Sequence, residues 1–431
     1  MDTTVFFKDS FFNHRHFFFA PHNKIVLPSF HYKPMTTTTY DQKLKEVAQH
    51  LHGNDIQLAY RRLLDCVLEV SDVETLRKAL EFCDWFEKNQ KSDSLGLISE
   101  GFQEFIKHLE KVYASHIVPH KQEKPLLQLE NISKTYKNGS FGLHKISLEL
   151  HEGEIIGLVG ENGNGKTTLL RLVANELKAD NGKIQYAFAD SSDDYILRTK
   201  LVYIEQRIPR WYGTLMENLY FTLSMYGYSG EQNTLRAELM VARLGLRPFR
   251  NLTWNQISSG YKTRFELAKN LLRSPNILLL DEPLANLDIL SQQTILQDLK
   301  FMSSSVNHPF GMILSSQHIY EVEKVSDKVV YLKAGRAQYK ESPNKTDSDE
   351  SESQIKPTKL YELELQGATK EQLTNELRSI GVKQISFNGG VFLIECDASV
   401  SLNDFLLCLA NSNLQLIYLR DISASSRRFF L

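Results

Sequence analysis

The stretch Gly-Glu-Asn-Gly-Asn-Gly-Lys-Thr-Thr at positions 160–168 constrains the fold more than any other part of the chain. It fits the pattern G-x-x-x-x-G-K-[ST], in which glycines let backbone N–H groups point into one concavity that binds a polyphosphate. The short apolar run at 155–159 predicts a buried parallel strand, and the run at 169–175 predicts a helix. Because a helix N-terminus adds partial positive charge, the sequence predicts a phosphate-binding loop between a strand and a helix.

Two side chains of this loop have specific predicted roles. Lys166 is expected to reach the β- and γ-phosphates of a nucleotide, and the Thr167 hydroxyl is expected to bind Mg²⁺. The residues predicted to contact the nucleotide in this loop are Gly160, Glu161, Asn162, Gly163, Asn164, Gly165, Lys166, Thr167 and Thr168.

Two adjacent carboxylates follow a second apolar run, Asn-Ile-Leu-Leu-Leu-Asp-Glu-Pro at 276–283. A buried strand would carry both acids to its C-terminal edge, beside the phosphates. Asp281 suits the Mg²⁺ shell, and Glu282 can polarise an attacking water. Without the phosphate loop upstream, the same run would indicate only a strand that ends in a solvated turn.

With these motifs, four more in order and one aromatic residue, the chain resembles the ATP-binding cassette (ABC) ATPases over residues 126–338. The run Ile-Ser-Ser-Gly-Tyr-Lys-Thr-Arg at 257–264 is similar to the signature loop of that family, usually Leu-Ser-Gly-Gly-Gln. Gln206 matches the glutamine loop, Asp288 the loop after the second acid, His318 the switch histidine, and Tyr136 the aromatic residue that stacks on adenine.

The resemblance implies a full set of site residues. Glu282, His318 and Lys166 would be catalytic, and Thr167, Gln206 and Asp281 would hold Mg²⁺. The remaining residues would act in binding ATP or at a dimer interface: Tyr136 on adenine, the signature residues Ser258, Ser259, Gly260 and Tyr261 on the nucleotide of a second subunit, and Asp288 in the dimer loop. In the signature loop, Ser259 replaces a glycine and Tyr261 replaces the glutamine, whereas Ser258 and Gly260 remain. We therefore expect ATPase activity that is retained but altered.

Composition separates this chain from several other classes. Fifty Lys and Arg against 52 Asp and Glu give a net charge of −2, so no basic excess predicts nucleic-acid binding. The sequence contains no run of 18 apolar residues, so it predicts no membrane span. The four cysteines lack C-x-x-C spacing and are expected to be buried thiols: Cys66, Cys83, Cys396 and Cys408.

The predicted fold class is α/β, a P-loop ABC ATPase core with a helical subdomain, an N-terminal helical region and a C-terminal ferredoxin-like domain. Residues 41–118 carry apolar stripes at three-and-four spacing, with expected helix starts at Asn54-Asp55, Ser71-Asp72 and Ser99-Glu100. Residues 359–431 follow a βαββαβ pattern. The other expected segments are a disordered extension at 1–40, the ATPase domain at 126–338 and an acidic linker at 341–358.

Several sharper interpretations of the flanking segments fail on their residues. Charged residues and histidines interrupt any signal-peptide core in the first 40 residues, and the histidines there lack a repeated ligand spacing. Met35 is a candidate for an alternative start of translation. Asn-Lys-Thr-Asp at 344–347 fits a guanine-binding motif, but it lies in polar, linker-like sequence and is expected to be a chance match.

The resemblance implies the cytoplasmic ATPase subunit of an ABC transporter, more like exporters than importers. Two copies would sandwich two ATP·Mg²⁺ and drive a separate membrane-spanning permease at the inner face of the plasma membrane. Exposed aromatics within 207–256 would anchor that permease. The alternative is a soluble ABC ATPase that acts on ribosomes or DNA. A P-loop GTPase or kinase explains neither the signature loop nor His318.

Overall fold

The computed structural model describes residues 40–70, 72–90, 95–114, 124–136, 142–189, 194–285, 287–317, 319–341, 358–377, 381–387, 390–397, 399–412 and 414–423. The predicted N-terminal extension, most of the acidic linker with its guanine-type motif, and His318 lie outside these residues. Among the helices in the described ranges, none combines the length and apolarity that a membrane crossing needs.

In its described residues, the N-terminal bundle has four helices whose apolar stripes form one core. They are α1 (Tyr40–His52), α2 (Ile56–Leu68), α3 (Val73–Asn89) and α4 (Leu95–Tyr113). Asp55 and Asp72 cap α2 and α3 by accepting the backbone N–H groups of Leu58 and Thr75, which confirms two predicted helix starts. The start at Ser99 is wrong, because α4 begins one turn earlier with an apolar face that includes the buried Ile98.

In the part of the cassette that the structure describes, nine strands form one sheet flanked by helices. Its strands are β1 (Leu127–Thr135), β2 (Gly142–Leu150), β3 (Ile155–Val159), β4 (Asn181–Tyr186), β5 (Leu201–Ile204), β6 (Ile277–Asp281), β7 (Gly311–Ser316), β8 (Lys328–Lys333) and β9 (Arg336–Glu341). Its helices are α5 (Lys166–Val173), α6 (Asp194–Lys200), α7 (Leu215–Met225), α8 (Gly230–Arg243), α9 (Ser259–Leu271), α10 (Ile289–Ser303) and α11 (Ile319–Val325).

The order of strands explains where a site can form. The sheet runs β4-β1-β2-β9-β8-β3-β7-β6-β5, and β3 pairs in parallel with both β8 and β7. All residues of β3, β6 and β7 are buried, as expected for strands covered by helices on both faces. The carboxyl ends of β3, β6 and β7 therefore lie side by side at one edge, the place where ligands bind in open α/β sheets.

The C-terminal part has its own sheet and core. It contains β10 (Thr358–Gln366), α12 (Lys370–Glu376), β11 (Val382–Phe387), β12 (Phe392–Asp397), α13 (Leu402–Asn411) and β13 (Gln415–Asp421). The strands are antiparallel in the order β11-β12-β10-β13, which is the ferredoxin-like arrangement. The observed elements confirm the predicted fold class.

The bundle packs on the cassette through apolar and charged contacts. Leu235, Leu239 and Ala242 of α8, together with Val306, join the apolar core of the bundle. At the edge of this contact, Arg77 of α3 forms a two-pronged ion pair with Glu231, at 2.8 and 2.9 Å. The bundle is thus continuous with the helical part of the cassette.

A buried charge cluster lies beneath this contact. Arg243 of α8 is fully buried, and its guanidinium lies 2.5 Å from Asp65 of α2 and 2.8 Å from Asp298 of α10. Arg62 adds a second cation, 3.2 Å from Asp65 and 3.5 Å from Asp298. Burial alone would lower the pKa of Arg243, but Asp298 and Asp65 outweigh it, so the pKa is raised. The partly exposed Arg61 of α2 also lies 3.1 Å from Asp298, so three cations face two carboxylates where three helices meet.

We expect Arg243→Met to destabilise the chain by about 3–5 kcal/mol, because it leaves Asp65 and Asp298 buried with one cation fewer. Urea unfolding followed by tryptophan fluorescence measures the change. Arg77→Met is the matched control, since it removes an exposed arginine from the same contact and should shift the midpoint little. Equal shifts in the two variants would contradict the importance of the buried cluster.

Candidate active site

The phosphate loop leaves β3 and enters α5 through glycines that its backbone requires. Gly165 caps α5 with φ of 102°, a left-handed conformation that other residues rarely adopt. At Gly160, an added Cβ would lie 2.5 Å from the Leu332 carbonyl oxygen. Asn164 fixes the loop further by accepting the Ala334 N–H at 2.9 Å. The loop is therefore held against the end of β8, with the N-terminus of α5 facing its concavity.

Lys166 is the buried cation of this loop. Its Nζ donates to the carbonyl oxygen of Gly160 at 2.7 Å and to that of Glu161 at 3.3 Å. It also lies 3.0 Å from Oε1 of Glu282, and only 5% of its side chain is exposed. The ammonium thus connects the loop to the acidic edge of the sheet.

Asp281 joins three neighbouring strands and the start of α5. It ends β6, is 3% exposed, and accepts the hydroxyl of Thr167 at 2.7 Å and that of Ser315 at 2.7 Å. Tyr203 of β5 donates a third hydroxyl at 3.2 Å. Burial and the Asp281 charge raise the pKa of Tyr203, which keeps the phenol protonated as a donor. Thr167 and Asp281 therefore present adjacent oxygens beside the phosphate loop.

Glu282 is held in a strained and well-defined position. Its φ of 48° is unusual for a residue other than glycine, and its N–H donates to Ser315 Oγ at 2.9 Å. Its carboxylate accepts Gln317 Nε2 at 2.9 Å and faces Lys166, with 9% of the side chain exposed. Backbone strain of this kind persists only where the surroundings fix it, and it concentrates at functional sites.

The remaining predicted residues have different environments. Tyr136 follows β1 and is 40% exposed, and Gln206 lies exposed in the loop after β5. The structure brings together Lys166, Thr167, Asp281 and Glu282. Gln206 is not part of this group and lies on the surface beside β5. His318 directly follows Gln317 but is outside the described part of the chain.

The signature loop leads into α9. Ser258 is the exposed N-cap residue of this helix, and Ser259 is exposed beside it. Tyr261, which stands where the family usually has glutamine, packs against Phe249 with ring centroids 3.9 Å apart and the rings tilted by 36°. Its ring therefore packs within its own chain. A Cβ at Gly260 would lie 3.0 Å from Leu287, so the signature loop closely approaches the loop after β6.

The dimer-loop candidate begins the next helix. Asp288 caps α10 by accepting both the N–H and the hydroxyl of Ser291, at 2.9 and 2.7 Å. These bonds lower the pKa of Asp288, first through the Ser291 hydroxyl. The following residues, Ile289 and Leu290, are 67% and 75% exposed, so an apolar surface adjoins the signature loop.

Three residues of the site carried no role in the sequence analysis: Tyr203, Ser315 and Gln317. Ser315 lies in β7 and Gln317 directly follows this strand, three and one positions before the predicted switch histidine. The apolar run that precedes Ser315 was the available signal. Tyr203 is one residue of a short apolar run before Gln206, and its hydroxyl bond to Asp281 depends on the adjacency of β5 and β6. The role of Tyr203 therefore depends on strand order, which the local sequence does not give.

Comparisons with known proteins agree with this geometry. The ABC transporter family matches residues 143–285. The spermidine/putrescine import ATP-binding protein PotA of Mesoplasma florum is 32% identical over 219 residues, which are 50% of this chain and 61% of that protein. The ABC transporter ATP-binding protein NatA of Bacillus subtilis is 30% identical over 207 residues, 45% of this chain and 79% of that protein.

A solved structure covers the same region. The structure of cbiO1 from Clostridium perfringens, described as part of the ABC transporter complex cbiONQ, has a TM-score of 0.47 and 25% identity, and covers 51% of this chain and 90% of that one. Four observations support the same family: the phosphate loop, the paired acids, the signature loop and the similarity to the protein of Bacillus subtilis. The chain belongs to the ATP-binding proteins of ABC transporters, and its cassette is an ABC ATPase domain.

Proposed function

We propose that this chain hydrolyses ATP to energise transport through a separate membrane-spanning permease. The observation that carries the proposal is the constellation of Lys166, Thr167, Asp281 and Glu282 at one sheet edge. Lys166 would hold the β- and γ-phosphates, and Glu282 would polarise the attacking water. The N-terminus of α5 would add positive charge to the same phosphates.

Mg²⁺ fits the oxygen donors of this site. Thr167 and Asp281 offer a hydroxyl and a carboxylate 2.7 Å apart, and magnesium prefers oxygen ligands together with substrate phosphates. In the described ranges, no group of three or more His, Cys, Asp and Glu side chains forms a metal site. A magnesium ion would therefore rely on few protein ligands, as is usual beside a nucleotide. Bound there, it would neutralise charge on the phosphates.

Glu282→Gln should lower ATP turnover by about 10²–10⁴-fold, because the attacking water loses its acceptor. ATP affinity should be retained or increased, since Lys166 loses the carboxylate that competes with the phosphates. Lys166→Ala should instead weaken ATP affinity. Phosphate release measures turnover, and calorimetry with EDTA measures affinity.

The control for this pair is Glu176→Gln. Glu176 follows α5 and forms an exposed ion pair with Arg171 of that helix, so its loss should leave ATP turnover and ATP affinity unchanged. Turnover of Glu282→Gln within about threefold of the wild type, or ~0.7 kcal/mol of barrier, would contradict the assigned role. Undiminished affinity in Lys166→Ala would contradict the phosphate-loop role.

We infer that two copies enclose the nucleotides between them. Ser258 is the N-cap residue of α9, a helix whose N-terminal N–H groups and partial positive charge suit a phosphate. The exposed Ile289 and Leu290 lie next to Asp288 and provide apolar area for an isologous contact. A second subunit would present its own signature loop to the first subunit's phosphate site, which gives two equivalent sites.

ATP should shift Glu282→Gln from monomer to dimer in light scattering, and adding Ser258→Arg should prevent this by bulk and charge. Ser229→Arg is the matched control, because Ser229 is also an exposed N-cap serine, at α8, without a side-chain capping bond in the described structure. A variant that stays monomeric at saturating ATP and high protein concentration would contradict the sandwich, as would unchanged hydrolysis in Ser258→Arg.

A surface next to the glutamine loop suits the permease. Tyr212, Phe221 and Met225 are 79%, 67% and 69% exposed, whereas Trp211 beside them is buried against Trp254. Exposed aromatic and methionine side chains of this kind anchor protein interfaces. On this proposal, the chain is a peripheral subunit on the cytoplasmic side of its permease.

Affinity purification from detergent-solubilised membranes should recover a membrane-spanning protein with the wild type, and less of it with Tyr212→Ala. Tyr195→Ala, which truncates a 78% exposed tyrosine on α6, should recover the normal amount. Recovery of ribosomal proteins or DNA instead would favour the soluble alternative.

The direction of transport is proposed as export, from the resemblance alone. PotA of Mesoplasma florum and PhnC of Treponema denticola are named as import proteins, so these names favour the opposite direction. Substrate accumulation inside inside-out vesicles that contain the recovered complex would support export, and ATP-driven loss from them would overturn it.

A further inference from the structure

A cavity of about 90 Å³ lies where the bundle meets the cassette. Such a volume holds several water-sized groups. Met240, Leu271, Leu272, Met302 and Phe310 give it apolar walls, and Arg236 of α8 contributes a guanidinium. The lining includes no residue of the phosphate loop, Asp281 or Glu282, so the cavity is separate from the proposed ATP site.

Most charges around the cavity are already matched. Lys43 lies 3.2 Å from Glu69, and the carboxylate of Glu69 also accepts the Val306 N–H at 3.0 Å. Asp65, which also lines the cavity, is paired with Arg243. These groups contribute no net charge that a ligand would have to neutralise.

Arg236 is the exception. It donates from Nη2 to the Val70 carbonyl oxygen at 3.2 Å, and its guanidinium lies over the ring of Tyr228 at 4.8 Å. Its Nε is buried without a hydrogen-bond partner, and no carboxylate within the described ranges forms an ion pair with it. Burial, Arg236 and Lys200 lower the pKa of the neighbouring His308, so that imidazole is neutral near pH 7. The cavity therefore contains an unmatched cation.

We propose that this cavity binds a small monocarboxylate with a short aliphatic body. The carboxylate would pair with the guanidinium of Arg236, which lines the cavity, because guanidinium and carboxylate groups form strong charge-assisted hydrogen bonds. The aliphatic part would pack on the methionine, leucine and phenylalanine walls. Because Arg236 is one unmatched cation, it balances the single charge of a carboxylate better than the double charge of a phosphate. Since Lys43 and Glu69 belong to the bundle and Arg236 to α8, the ligand would contact both at once.

Calorimetric titration of the full chain with hexanoate tests the proposal, with 1-hexanol and inorganic phosphate as comparison probes. Hexanoate should bind more tightly than either. Arg236→Met, which retains an aliphatic stem, should weaken hexanoate binding about tenfold or more and leave hexanol binding unchanged. Arg236→Lys should restore part of the affinity, because it restores the charge without the planar fork.

Arg77→Met is the control, since it removes an arginine at the same contact outside the cavity lining and should bind hexanoate as the wild type does. The proposal is overturned if the wild type does not bind hexanoate, if hexanol binds equally well, or if Arg236→Met retains wild-type affinity. The comparison of hexanoate with hexanol uses only the wild type, so it decides the matter even if a variant fails to fold.

Discussion

The arrangement of the active site depends on the buried carboxylate of Asp281. A charged group that is 3% exposed requires hydrogen-bond donors, and three hydroxyls supply them, from β5, from the start of α5 and from β7. Each donor comes from a different element at the same sheet edge. The cost of leaving this carboxylate unsatisfied therefore fixes the spacing of the elements that carry the phosphate loop and Glu282. Because Asp281 is fixed, the backbone of the next residue is fixed as well, and Glu282 keeps its left-handed conformation.

A second buried polar group has a comparable structural effect at the contact between the bundle and the cassette. Arg243 joins α8 to α2 and α10, so the bundle and two cassette helices share one charge cluster. Buried ion pairs gain little net stability, but they disfavour arrangements that separate their members. The cluster therefore favours one docking geometry between the bundle and α8, while the apolar contacts of Leu235 and Leu239 supply buried area.

Much of this organisation could be predicted from local sequence. The phosphate loop, the acidic strand and the βαββαβ order each have short-range signatures, and the caps at Asp55 and Asp72 follow from residue type. The roles of Tyr203 and Ser315 could not be predicted, because they depend on which strands are neighbours. The cluster around Arg243 was equally inaccessible, since Asp65 lies 178 positions away in sequence. The early start of α4 shows that an apolar stripe can extend a helix past an expected cap.

The contact between Lys166 and Glu282 has a consequence for catalysis. At 3.0 Å the ammonium and carboxylate neutralise each other, and both side chains are at least nine-tenths buried. On the proposed roles, a polyphosphate that entered the loop would compete with Glu282 for Lys166, because both anions need the same cation. Glu282 would then keep Gln317 as its donor but lose its counter-ion, which would make the carboxylate a better acceptor for a water proton. We infer that substrate binding would itself activate Glu282 as the base, so that binding and hydrolysis would be coupled through one lysine.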